Sequence, residues 1–84
     1  MKNIIGKNVT EARHKFNPAL SQKELAAKLE LNGWKISRGT LAKIEAGIRE
    51  VTDVELMILA KTLKVSPEWL LDKELFEKIA GKEK

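Results

Sequence analysis

Apolar residues recur along this chain with the period of an α-helix, in runs broken by short polar turns. Ile5, Val9, Ala12 and Phe16 stand at i, i+4, i+7 and i+11, one stripe of a helix with 3.6 residues per turn. Asn17-Pro18 closes that stripe, because the residue before a proline is pushed out of the helical region. Ser21-Gln22-Lys23-Glu24 has the form of a capping box. In such a box the serine oxygen accepts from the amide three residues on, and the glutamate reaches back to the serine amide. A helix is therefore predicted from Gln22, with Leu25, Ala26 and Leu29 inward, stopping before the turn pair Asn32-Gly33. Ser37 caps a third segment, in which Leu41 and Ile44 form the stripe and Gly47 supplies the stop.

Thr52-Asp53-Val54-Glu55 repeats the capping box ahead of Leu56, Leu59, Ala60 and Leu63. Met57 and Ile58 flank that stripe, so one of the two is expected on the surface. Ser66-Pro67 places a cap before a proline at the first helical position, where its missing amide costs nothing. One last helix is predicted from there, with Trp69, Leu70, Leu75, Phe76 and Ile79 as its apolar content. The expectation is an all-α fold: a compact five-helix bundle in a single domain over residues 1–80, with a frayed tail at 81–84.

Composition narrows the class. The apolar content is too high for a disordered chain, and 84 residues make one domain. There is no cysteine, which removes disulfides and thiolate metal sites and suits a reducing compartment. Met1 to Gly6 lacks the apolar core of a signal peptide, and no apolar run approaches the roughly 20 residues that span a bilayer. A cytoplasmic location is expected. His14 is the sole histidine and has no partner at ligand spacing, so neither a metal nor a cofactor is expected. Ser21, Ser37 and Ser66 are explained as caps, and Asp72, Glu74 and Glu77 as a solvated face. No catalytic constellation remains, so the chain is read as not an enzyme.

Charge is uneven along the chain. Residues 1–49 carry ten Lys and Arg against four acids, a net of +6; residues 50–84 carry six against eight, a net of −2. A basic half and a mildly acidic half suit one face turned to a polyanion and another kept from it. The segment Ser37-Arg38-Gly39-Thr40-Leu41-Ala42-Lys43-Ile44-Glu45 sharpens this: two apolar residues point one way, and Arg38, Gly39, Thr40 and Lys43 lie on or near the other side. A short helix of this kind fits the major groove of DNA.

The runs Leu20 to Leu29, Ile36 to Gly47, Leu56 to Val65 and Ser66-Pro-Glu-Trp-Leu-Leu71 together resemble the Cro and phage-repressor (XRE-type) helix-turn-helix family, whose fold is the lambda-repressor-like bundle. The resemblance spans about residues 5–71 and rests on the joint spacing of Leu25-Ala26, Ile44-Glu45 and Gly47. It implies a transcriptional regulator, expected to be a repressor. Such a protein binds double-stranded DNA as a homodimer through the C-terminal helix and inserts the helix at about 38–46 into the major groove. Exposed apolar residues among Met57, Ile58, Trp69, Leu71 and Phe76 would mark the dimer contact.

By the same resemblance, base contacts are expected from Arg38, Gly39, Thr40 and Lys43. Arginine and lysine donate to guanine O6 and N7, a threonine methyl meets a thymine methyl, and a glycine lets the backbone approach. Phosphate contacts are expected from Gln22, Lys23, Lys35, Ser37 and Arg49, with Lys28 a weaker candidate. Arg13 and Glu45 are expected to form a structural ion pair. The chain departs from the family in a longer first loop and in the insertion Glu30 to Lys35, where Trp34 either plugs the loop onto the core or stands near DNA; the plug is the expectation. Another reading keeps the fold but changes the partner: a helical protein-interaction module, such as a toxin-neutralising antitoxin or an adaptor of another regulator.

Overall fold

The computed structural model describes residues 2–82. These form α1 (Gly6–His14), α2 (Gln22–Leu31), α3 (Arg38–Glu45), α4 (Asp53–Leu63), α5 (Pro67–Leu71) and α6 (Lys73–Lys82), with no strand among the described residues. Both capping boxes form, with Ser21 accepting from the Glu24 amide at 3.0 Å and Thr52 from the Glu55 amide at 3.1 Å. Ser37 and Ser66 cap α3 and α5 in the same manner, accepting from Thr40 and Trp69. Each cap satisfies an amide that the helix itself leaves without a partner.

The helix count differs from the expected five. The last predicted helix breaks at Asp72, whose backbone turns to φ −153° and ψ 81°. Its carboxylate accepts from the Leu75 amide at 3.0 Å, so Asp72 serves as the cap of a new helix instead of a residue on a continuous one. The break lets Trp69 and Leu70 stay buried while α6 turns away and packs mainly on α5. Residues 81 and 82, expected in the frayed tail, close the last turn of α6; Glu83 and Lys84 lie outside the described residues. At the other end, α1 stops at His14, and Phe16 packs half-buried against the core from the loop that follows.

Val9, Leu25, Leu29, Leu41, Ile44, Leu59 and Leu70 are fully buried. Each such side chain contributes roughly 1.5–3 kcal/mol by leaving water. They come from five helices: α1 lies against α3, α4 and α5, and α2 against α3 and α4. Trp34 and Ile36 fold the insertion onto this core, and Met57 is the exposed member of the Met57–Ile58 pair.

Helix α4 ends on Lys64 in the left-handed region (φ 60°, ψ 39°), with the Val65 amide reaching back to the Ala60 carbonyl at 3.1 Å. A side chain at such a position is disfavoured by roughly 1–2 kcal/mol, which glycine avoids. Lys64→Gly is therefore expected to raise stability by about 0.5–1 kcal/mol, after the added freedom of the unfolded chain is subtracted. Urea denaturation checks this, and an unchanged or lower midpoint would contradict it.

Candidate nucleic-acid interface

Helix α3 is fastened from behind. Leu41 and Ile44 are fully buried, and Glu45, one residue on, gathers donors from three residues of α1 and α2. Arg13 of α1 donates from Nε to Glu45 Oε2 and from Nη2 to Oε1, each at 2.9 Å. Thr10 donates to Oε1 at 2.8 Å, and Gln22 Nε2 donates to the same oxygen at 3.2 Å. The two charged side chains are only 11% and 6% exposed. Burial pushes the Glu45 carboxyl upward, but the hydrogen bonds from Arg13, Thr10 and Gln22 outweigh it and hold the group below its ordinary value. Arg13 also donates from Nη1 to the Leu20 carbonyl at 2.7 Å, which pins the first loop beside α3.

The C-terminal end of α3 is held by the arm that precedes α1. Gly47 takes φ 78°, and the Gly47 and Ile48 amides turn back to the carbonyls of Ile44 and Lys43, each at 3.0 Å. Asn3 Nδ2 then donates to the Ile44 carbonyl at 3.1 Å and the Arg49 carbonyl at 2.8 Å. Its Oδ1 accepts from the amides of Ile5 and Gly6, at 3.0 and 2.9 Å. One side chain thus opens α1 and closes α3. Nothing in the sequence marks Asn3 for this, because it stands two residues ahead of the N-cap position, Ile5.

What α3 turns outward is basic. Arg38, Gly39 and Lys43 are exposed and Thr40 is half-buried. The Ser37 hydroxyl accepts from the Thr40 amide and donates to the Thr40 hydroxyl at 2.9 Å, which leaves Thr40 its own proton to donate. No acid sits in the first turn of α3, whereas α2, α4, α5 and α6 each carry at least one. The positive end of its dipole is therefore uncompensated and favours an anion. Arg13, Ser21, Gln22, Lys23 and Arg38 line a shallow groove between the starts of α2 and α3.

The other expected phosphate contacts are distributed differently. Lys23 and Lys35 are exposed, Lys28 lies over the Phe16 ring at 5.9 Å, and Gln22 is turned to Glu45. Arg49 is placed against an acid: Nη1 and Nη2 donate to the two Glu55 oxygens at 3.0 and 3.2 Å, and the guanidinium lies over Trp34 at 5.8 Å. The hydrogen bonds from Arg49, only partly offset by burial, hold the Glu55 carboxyl below its ordinary value. Glu55 as this partner was not foreseen, because its capping box already accounted for it.

Among the described residues no group of three or more His, Cys, Asp or Glu is placed to hold a metal, and no helix is long and apolar enough to cross a membrane. None of the curated proteins or solved structures compared matches the chain. The helix-turn-helix family model matches residues 19–70, from the loop before α2 to the end of α5 but one residue, more than half of the chain. With two capped helices in tandem and the second one braced from both ends, the protein belongs to the helix-turn-helix family of Cro and phage-repressor type, a family of DNA-binding regulators.

Proposed function

We propose that this protein is a sequence-specific double-stranded DNA-binding repressor that acts as a cytoplasmic homodimer. The observation that carries the reading is the division of α3 into two faces: Leu41 and Ile44 fully buried, Arg38, Gly39 and Lys43 exposed at a helix end free of acids. In this reading Arg38 and Lys43 donate to base edges, Thr40 contributes its hydroxyl and methyl, and the Gly39 backbone approaches the groove. Lys23 and Lys35, Gln22 through the amide proton not given to Glu45, and Ser37 through its backbone amide contact phosphates, which set register without carrying sequence information. The dimer contact uses the exposed apolar residues near the C-terminus, Leu71, Leu75 and Ile79. Trp69, one of the residues considered for that contact, is 6% exposed and belongs to the core.

The test is selection of binding sites from a random duplex library with the purified chain at near-physiological salt. An inverted repeat is expected, with half-sites that set the two α3 helices about 34–36 Å apart. Arg38→Ala is expected to cost about 1–3 kcal/mol on the selected site and to relax one base position. An unchanged site preference would remove Arg38 from the reading set. Weak, salt-sensitive and sequence-indifferent binding would favour the protein-interaction module, for which the exposed Val54 and Met57 on α4 offer a surface.

A further inference from the structure

We infer that Arg49, together with Trp34 and Glu55, positions α3 for DNA reading and does not itself bind phosphate. The inference rests on the DNA-binding reading above. Trp34 precedes α3 in the inserted loop, and Arg49 follows it in the turn to α4. The cation–π contact of the guanidinium with the indole, at 5.8 Å, therefore joins the segments on either side of an eight-residue helix. Each member is fixed in turn. Trp34 packs on the core, and its amide donates to the Leu29 carbonyl at 2.9 Å. Arg49 is held by both oxygens of Glu55 and donates to the Glu50 carbonyl at 2.9 Å, while its own carbonyl accepts from Asn3. Glu55 is immobilised at the start of α4, where Oε1 also accepts from the Thr52 amide at 3.0 Å.

Two features separate a positioning role from a phosphate contact. A guanidinium in fork-to-fork contact with a carboxylate has its charge balanced and two of its donors engaged, so a phosphate would have to displace Glu55. The geometry also depends on a planar cation that presents two donors to Glu55 while it faces the indole, which lysine cannot reproduce. The insertion that lengthens the loop before α3 thus carries its own fastener. Its effect on DNA passes through the placement of Arg38 and Lys43.

Arg49→Lys, Arg49→Ala, Glu55→Gln and Trp34→Leu are to be titrated with the selected duplex across a salt series. Gln at position 55 keeps an acceptor for the capping box, so the variant acts on Arg49 more than on the helix start. The expected result is that all four lose affinity by a similar factor, about tenfold, with the wild-type salt slope and a broadened site preference. Retained affinity in Arg49→Lys, a salt slope lowered by about 1 in Arg49→Ala, or tighter binding by Glu55→Gln would overturn the inference in favour of phosphate contact. Amide hydrogen exchange of the free protein gives a readout independent of DNA. Arg49→Lys and Glu55→Gln should speed exchange in residues 34–49 and leave Val9 and Ala12 of α1 unchanged. If the wild-type chain selects no site, the DNA-binding reading fails, and the exchange pattern alone decides whether the clamp exists: unchanged exchange in both variants would overturn it.

Discussion

Arg13→Met is expected to destabilise the fold by about 3–5 kcal/mol at neutral pH, because it leaves the Glu45 carboxylate buried without its balancing charge. For a domain of this size that is a large share of the total. Thr10 and Gln22 remain as donors, but neither carries charge. The pH dependence separates this mechanism from simple loss of packing. In the wild type the folded pKa of Glu45 lies below its unfolded value, so its contribution is fully present above about pH 4.3 and is lost as pH falls through the lower folded value. In Arg13→Met, burial acts without the guanidinium to oppose it and the carboxyl is pushed upward. Between pH 7 and pH 4.5 acid then relieves the variant, while the wild type keeps the contribution of Glu45. Urea denaturation at pH 7 and pH 4.5 is expected to show the gap between them shrinking, and a gap independent of pH would point to packing instead. Pairing the substitution with Glu45→Leu is expected to recover most of the loss, since no charge is then stranded.

Gly6→Ala is expected to cost about 3 kcal/mol, at the upper end for overpacking, because a Cβ at this position meets backbone and not side chain. It would lie 2.6 Å from the Glu45 carbonyl oxygen and closer still to that of Ile44. Neither carbonyl can yield cheaply: that of Ile44 already accepts from Asn3 and from the Gly47 amide. Helix α1 would have to move away from α3, loosening the Arg13–Glu45 pair with it. Gly39→Ala is the counterpart within the same motif. The nearest atom to its Cβ is Ser37 Oγ at 3.9 Å, so the helix gains roughly 0.5–1 kcal/mol. Thermal melts are expected to move in opposite directions, by about 4–8 °C per kcal/mol. If the Gly39 backbone approaches the groove, the stabilised Gly39→Ala variant should also bind its selected duplex more weakly; equal binding would show that no close approach occurs.

Legibility in the sequence followed the range of the interaction. Starts of α2, α3, α4 and α5 were readable from Ser21, Ser37, Thr52 and Ser66, since a cap is a bond between residues three apart. Asp72 was equally local and was missed because the apolar residues on either side of it fitted one helical period. The Arg13–Glu45 pair was approached through resemblance alone, and nothing in the spacing of two residues 32 apart dictates their contact. Arg49 shows the reverse: the resemblance suggested phosphate, yet the anion it faces in the free protein depends on where α4 begins in space.

The sequence by itself determined that the chain is helical, where α2 to α5 start, most of the inward residues and the basic face of α3, because periodicity and capping act over one or two turns. Only the tertiary structure decided that Gly6 must lack a side chain, that Asn3 joins the start of α1 to the end of α3, and that Trp34, Arg49 and Glu55 meet. Those contacts arise where helices cross. Their positions follow from how the buried apolar side chains of five helices fill one core, a property of the packed whole that no local stretch of sequence contains.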